Sequence, residues 1–259
     1  MWIAPLMLAL ACTPDAPITE TDTSIVQDTD TNDTGASPSL SGAIAADAGY
    51  PMEGAAVRLC LTGCLTGTTD ADGHYAINTV AEGTYAWEVH PPAGAAALVP
   101  MVPLTMAAGE SLVLDAMWLT PDRWEPFPTV AMEIEIAPFV FVSWDPSEVV
   151  VPGGLDVPAL VGARVGPAYQ PPTGLADEIV GMWYLGPYEL SSPSGFAVRL
   201  GDGLALPDGS YDVWVAVRDA SAPSASWVLA GEVTSAAGVA SGDIVLPQLS
   251  TVVITKNGG

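Results

Sequence analysis

Positive charge is scarce in this sequence. Its 259 residues include six Lys and Arg against 30 Asp and Glu, which gives a formal net charge of -24. A surface this acidic repels phosphate backbones and anionic headgroups. The composition therefore excludes nucleic acid as a partner, and solubility is a sufficient reason for the acidity.

Histidine is also rare, and its two occurrences are His74 and His90. Ile77 and Ala93 stand three residues after them, so neither forms the His-x-x-Glu pair of a zinc site. With so little histidine a Ser-His-Asp relay has few candidates. The sequence also lacks a G-x-S-x-G elbow, a Walker loop and a G-x-G-x-x-G turn. We therefore expect no catalytic residues, no cofactor and no metal ion.

Long hydrophobic runs are missing except at the start. Residues 1–11, MWIAPLMLALA, are too few to span a bilayer but have the length of the apolar region of a signal peptide. The stretch from Ala9 to Cys12 resembles the bacterial lipobox, although no Lys or Arg precedes the run and Ala9 stands where Leu is usual. The resemblance implies that Cys12 is lipidated and becomes the new N-terminus.

Residues 12–39 are rich in Thr, Asp and Ser and contain no Lys or Arg. This composition predicts a disordered acidic tether. Asp28, Asp30 and Asn32 have the spacing of a calcium loop, but Asp33 replaces its glycine and Ser39 its bidentate glutamate, so a solvated linker is favoured. Signal, cysteine and tether in this order predict a membrane partner through the lipid anchor. Because Thr13 rather than Asp follows the cysteine, the family's sorting rule implies an outer-membrane lipoprotein of the cell envelope, exposed to the periplasm or the cell surface.

Residues 40–120 consist of short apolar runs separated by Gly, Pro and Asp-Gly turns about every ten residues. Tyr85, Trp87 and Val89 alternate with other residues, so they point to one face of a strand and supply part of a core. The segment 69–73 is a predicted turn: its Asp-Gly pair supplies a residue tolerant of φ > 0, and an Asp side chain can bond the backbone two residues on. The pattern predicts a β-sandwich domain.

Several stretches of this domain together resemble the carboxypeptidase regulatory-like family, which has a prealbumin-like β-sandwich. They are SGAI at 41–44, GYPMEGAAVRL at 49–59, TTDADGHYAI at 68–77, EGTYAWEV at 82–89 and AAGESLVLDAMWL at 107–119. The resemblance implies a module rather than a peptidase, because the peptidase activity of such proteins belongs to a separate zinc domain.

Cys60 and Cys64 enclose three residues in CLTGC. Across a tight hairpin they would face each other at a separation suited to a disulfide, which an oxidising compartment favours. A redox pair is disfavoured because the spacing is not C-x-x-C and no helix start is near. A metal site is disfavoured because two further ligands are missing.

Residues 121–259 continue in the same style and predict a second β-sandwich. Met132–Ile136 alternates apolar and acidic residues, and 139–144 is apolar apart from Ser143, which predicts a half-exposed strand followed by a buried one. The segments VVVPGGL, WYLGP and LPDGSYDVWVAV faintly resemble the ZU5-like domains of bacterial surface proteins. The predicted fold class is therefore all-β: two sandwich domains after a signal peptide and an acidic linker.

Trp214 is the one residue of this second domain singled out for ligand contact. Tyr211, Val213 and Val215 share one face of their strand, which leaves Trp214 on the other. If that face meets solvent, Trp214 is a contact for a sugar or a protein. If another layer covers it, Trp214 is core, and this second interpretation is favoured.

These observations predict a non-enzymatic surface lipoprotein whose sandwiches serve adhesion, assembly or spacing, with an envelope protein or a glycan as partner. The alternative is a carbohydrate-binding protein. A hydrolase using an acidic pair is the least supported, because 30 carboxylates produce pairs by chance.

Overall fold

Strands follow one another through the described chain, as the short apolar runs predict. The computed structural model describes residues 37–47, 50–93, 95, 97–115, 117–151, 159–188, 190–218 and 221–257. The predicted signal peptide, Cys12 and all but the last three residues of the predicted tether lie outside these ranges. Within them the helices are three 3₁₀ turns, and none is long and apolar enough to cross a membrane. The all-β prediction is confirmed.

The first nine strands form two sheets, which we call the N-terminal sandwich. The strands are β1 (Ser39–Asp47), β2 (Tyr50–Pro51), β3 (Ala56–Cys60), β4 (Cys64–Thr68), β5 (His74–Asn78), β6 (Gly83–His90), β7 (Met101–Met106), β8 (Ser111–Val113) and β9 (Met117–Trp118). In one sheet β1 pairs antiparallel with β2 and β5 and parallel with β8 and β9. The other is antiparallel in the order β4-β3-β6-β7.

The core of the N-terminal sandwich comes from alternate residues of both sheets. Tyr85, Trp87 and Val89 are buried in it on β6, as the alternation predicts. Turn chemistry also agrees with the sequence, because Asp70 Oδ1 accepts the backbone N–H groups of Asp72 at 3.0 Å and His74 at 2.9 Å. The sequence pattern therefore fixes both the inward face and the turn before β5.

The remaining strands form one folded sheet, the C-terminal sandwich. They are β10 (Arg123–Pro126), β11 (Glu133–Ala137), β12 (Val140–Ser143), β13 (Ala159–Arg164), β14 (Glu178–Gly186), β15 (Ser191–Leu200), β16 (Gly209–Arg218), β17 (Ala225–Ala236), β18 (Val239–Ser241), β19 (Ile244–Gln248) and β20 (Thr251–Lys256). The 3₁₀ turns are Pro146–Glu148, Pro167–Tyr169 and Asp202–Leu204. Phe139 was predicted to belong to a buried strand, but its φ of 65° places it in the turn before β12.

The strand order is β10-β13-β14-β20-β16-β17-β19-β15-β12-β11, with β18 beside β17. This sheet folds over so that one core lies between β14, β16 and β20 on one side and β11, β12, β15 and β19 on the other. The layers approach closely at Gly162 of β13, where a Cβ atom would overlap the carbonyl oxygen of Ile136 on β11. Glycine is therefore required where these two strands cross.

The two sandwiches meet at an interface, which we call the seam, where β14 and β20 bury their second face. Met182, Tyr184 and Val253 belong to the same apolar cluster as Trp87. Thr251 Oγ1 also donates to the carbonyl oxygen of Met101, at 2.5 Å. Residues Ala36–Gly259 accordingly form one compact unit, to which the predicted segments 40–120 and 121–259 each contribute their own sheets.

Candidate functional site

The cysteine pair lies at the hairpin between β3 and β4. Cys60 and Cys64 are directly opposite each other, their Cα atoms 4.0 Å apart, and they form a disulfide. Cys60 is buried beside Ala86 and Met101 in a small cluster at the seam, whereas Cys64 is exposed. Of the three interpretations of CLTGC, the structure has the disulfide, which fixes the end of this hairpin.

Trp214 lies on the seam. Tyr211, Val213 and Val215 face the core of the C-terminal sandwich, and Trp214 packs instead against the apolar cluster that the two sandwiches share. Its indole N–H donates to the Thr255 hydroxyl at 3.1 Å. The two faces of β16 are thus divided as the alternation predicts, and another layer covers the face that carries Trp214. A ligand contact at Trp214 stays a prediction.

Four polar side chains contact one another at the seam, and we call them the Glu88 cluster. Glu88 on β6 is 1% exposed, and its Oε2 accepts a hydrogen bond from His90 Nε2 at 2.9 Å. Its Oε1 accepts a hydrogen bond from the Tyr188 hydroxyl at 3.2 Å and forms an ion pair with Arg218 of β16. Arg218 in turn donates from Nε to the Tyr188 hydroxyl at 2.9 Å. Each sandwich therefore contributes side chains to the cluster.

The cluster keeps Glu88 ionised. Burial raises the pKa of this carboxyl, but hydrogen bonding from His90, the charge of Arg218 and the Tyr188 hydroxyl outweigh it. The pKa of Glu88 consequently lies below its ordinary value. A general base works best when its pKa is near the operating pH, so this carboxylate is suited to holding two sheets together rather than to moving protons.

Two carboxylates of β11, the exposed Glu133 and the half-buried Glu135, are paired with arginines. Glu133 accepts from Arg199 Nε at 3.0 Å, and Glu135 accepts from Arg123 at 2.8 Å. The hydrogen bond from Arg199 lowers the pKa of Glu133. The acid of a glycosidase needs a raised pKa, so Glu133 has the wrong environment for that role. Among the described residues no group of three or more His, Cys, Asp and Glu is placed to hold a metal ion.

Sequence reasoning missed the Glu88 cluster. The alternation that buries Tyr85, Trp87 and Val89 puts Ala86, Glu88 and His90 on the opposite face, which a single sandwich would leave in water. The available signal in the sequence was the pair Glu88 and His90, an acidic and a basic residue two positions apart on that face. Their partners, however, are 100 and 130 residues away, at Tyr188 and Arg218.

No family model matches the chain, and a search of curated proteins finds none that matches its sequence. The resemblances to the lipobox, to the carboxypeptidase regulatory-like family and to ZU5-like domains therefore remain predictions.

Proposed function

We propose that this chain is a non-enzymatic surface lipoprotein, anchored through Cys12, whose sandwiches serve adhesion, assembly or spacing in the cell envelope. The observation that carries the proposal is the Cys60–Cys64 disulfide. Disulfides form and persist in oxidising compartments, so a disulfide in a chain that begins with a lipobox-like stretch supports export.

The architecture supports a role in display. Residues Ala36–Gly259 form one compact unit, and all but the last four residues of the predicted tether, residues 12–39, precede it. Two or three acyl chains on Cys12 give a stable anchor, because each buried CH₂ contributes about 0.8 kcal/mol. A folded unit on such a flexible tether reaches partners at a distance from the membrane without changing its own fold.

Metabolic labelling with a palmitate analogue tests the anchor. We expect the wild-type chain to be labelled and to fractionate with the outer membrane, and Cys12→Ala to lose both properties. Cys64→Ala is the matched control, because it removes a cysteine outside the lipobox-like stretch and should remain labelled. An unlabelled wild-type chain would contradict the proposed localisation.

Carbohydrate binding is the second candidate function, and an exposed aromatic side chain favours it. Trp124 on the edge strand β10 is 52% exposed, and open indole rings are platforms on which sugar rings stack. Isothermal titration against a glycan panel tests this candidate. We expect a ligand whose affinity falls in Trp124→Ala. If no glycan binds, or if binding does not depend on a tryptophan, this candidate is wrong.

A further inference from the structure

A small cleft lies where β9 and the segment after it meet β13 and the turn Pro167–Tyr169. It encloses about 70 Å³. We call it the aromatic cleft and define it by Trp118, Asp122, Tyr169 and Tyr184. A cavity needs roughly 10 to 15 Å³ for one water molecule, so this one can hold a group of several heavy atoms.

Two aromatic rings form one side of the cleft. The rings of Trp118 and Tyr169 are stacked, with their centroids 4.6 Å apart and their planes tilted by 32°. Trp118 nevertheless remains 39% exposed, so the pair presents aromatic surface to a ligand. The quadrupole of such rings attracts cations, and tryptophan attracts them most strongly.

A carboxylate lies beside these rings. Asp122 Oδ2 accepts the backbone N–H of Arg164 at 2.8 Å, which fixes the position of the carboxylate. Its Oδ1 has no hydrogen-bond partner among the described residues. A carboxylate oxygen accepts hydrogen bonds and donates none, so a ligand that carries positive charge or N–H groups complements it.

A buried tyrosine lies in the apolar part of the cleft. Tyr184 is almost fully buried there, and its hydroxyl has no hydrogen-bond partner within the described chain. Ala163 and Val165 pack around it in the same apolar cluster. A desolvated setting of this kind strengthens the attraction between a cation and aromatic rings.

The positive charge of Arg164, next to the cleft, does not prevent a cation from binding there. Arg164 pairs across strands with Trp183, and its guanidinium carbon stands 5.6 Å from the centroid of that ring. Trp183 belongs to the core of the C-terminal sandwich, whereas Ala163 and Val165 belong to the apolar cluster that the two sandwiches share. Side chains alternate along β13, so the Arg164 side chain points to the opposite face from Ala163 and Val165, while its backbone N–H contacts Asp122 in the cleft.

The net charge of the whole chain also favours a cationic ligand. A net charge of -24 attracts cations and repels anions before any contact is made. We propose that the aromatic cleft binds an alkylammonium group, held against the rings of Trp118 and Tyr169 with its charge beside Asp122. This site goes beyond the proposed display function and does not depend on the lipid anchor.

Isothermal titration of the purified chain at constant ionic strength tests the proposal. The ligands are choline, propylammonium, the uncharged choline isostere 3,3-dimethylbutan-1-ol, and methyl glucoside. We expect an ammonium ligand to bind about ten-fold more tightly than the uncharged isostere, the ratio that a cation–π contact in a partly desolvated site supports. The ratio of choline to propylammonium affinity tells whether the group is quaternary or primary.

Single substitutions locate the site. Trp118→Leu and Asp122→Asn should each weaken binding of the preferred ammonium ligand by about five-fold or more, since one removes the ring and the other the charge. Trp124→Leu is the matched control, because it removes an exposed indole outside the cleft and should leave affinity unchanged. Asp122→Asn leaves the size of the side chain almost unchanged, so this variant still tests the proposal if Trp118→Leu fails to fold.

Three outcomes would overturn the proposal. The first is equal affinity for choline and its uncharged isostere. The second is unchanged affinity in both Trp118→Leu and Asp122→Asn. The third is binding of methyl glucoside at the cleft without binding of either ammonium ion, which would assign the cleft to sugars. None of these bears on labelling at Cys12, so the display function is tested separately.

Discussion

Glu88 and Arg218 form an ion pair although 130 positions separate them in the chain. Glu88 belongs to β6 of the N-terminal sandwich and Arg218 to β16 of the C-terminal one. The chain has only six cationic residues, and one of them is used in the seam. A buried pair adds little net stability compared with apolar packing, but its specific geometry selects one arrangement of the two sandwiches.

Loss of the cation should destabilise the protein strongly. Arg218→Met leaves the Glu88 carboxylate buried with only His90 and Tyr188 as partners, and an uncompensated buried charge costs about 3 kcal/mol or more. The free energy of unfolding in urea measures this loss. Arg123→Met is the control, since its pair with Glu135 is solvent-exposed and should contribute below about 1 kcal/mol. Equal losses in the two variants would mean that burial of the pair is unimportant.

The Glu88 cluster should also give the protein an acid-sensitive contribution to stability. The folded state lowers the pKa of Glu88 below its ordinary value near 4.5, so ionisation of Glu88 stabilises the fold above that pH. As the pH falls through the lowered pKa, the carboxylate is protonated and this contribution disappears. The difference in unfolding free energy between wild type and Glu88→Gln should therefore be constant well above pH 4.5 and shrink as the pH falls through and below that value.

Comparison with Glu88→Gln cancels the contributions of the other acidic residues, which titrate in both proteins. Equilibrium unfolding at a series of pH values from 7 to about 3 measures the difference. A difference that does not change across this range would show that Glu88 has the same pKa in the folded and unfolded chains.

The shared apolar cluster predicts that the two sandwiches unfold together. Leu104→Ala empties a fully buried position on β7 and should lower stability by about 2 to 5 kcal/mol. Because Val253 of β20 lies in the same cluster, amides of β20 should lose protection by a similar free energy. Hydrogen exchange followed by mass spectrometry detects both effects. Leu229→Ala, at an exposed position, is the control. Unchanged protection of β20 would mean that the sandwiches open independently.

The crossing of β11 and β13 should tolerate no side chain at Gly162. Gly162→Ala pushes a methyl group into the Ile136 carbonyl, and overpacking of this kind costs about 1 to 3 kcal/mol. Gly63→Ala is a matched control, because a Cβ atom there meets nothing within 4 Å. Thermal unfolding of the two variants makes the comparison. Similar midpoints would contradict the close approach of the two strands.

Local features of the fold could be predicted from the sequence. Large residues two apart identified the inward faces of β6 and β16, since side chains alternate along a strand. Asp72 followed by Gly73 identified the turn before β5. The short loop between Cys60 and Cys64 identified the disulfide, because so few residues leave a hairpin as the simplest way to bring them together.

Other strands could not be predicted. β7 and β19 each contain a proline, Pro103 and Pro247, and proline argues against a strand. β13 begins directly after turn-forming residues and contains Gly162, so it shows no alternation. The seam was beyond sequence reasoning for a different reason: each of its contacts joins residues that only the packing of the two sandwiches brings together, as for Glu88 and Arg218.

The position of β1 has a consequence if the proposed anchor at Cys12 holds the protein by its N-terminal end. β1 lies between β5 and β8, antiparallel to one and parallel to the other. Tension transmitted through the chain before Ser39 would pull β1 along its own axis, while its hydrogen bonds run across that axis. The bonds on both sides would then share the load and fail together in shear instead of peeling apart one at a time.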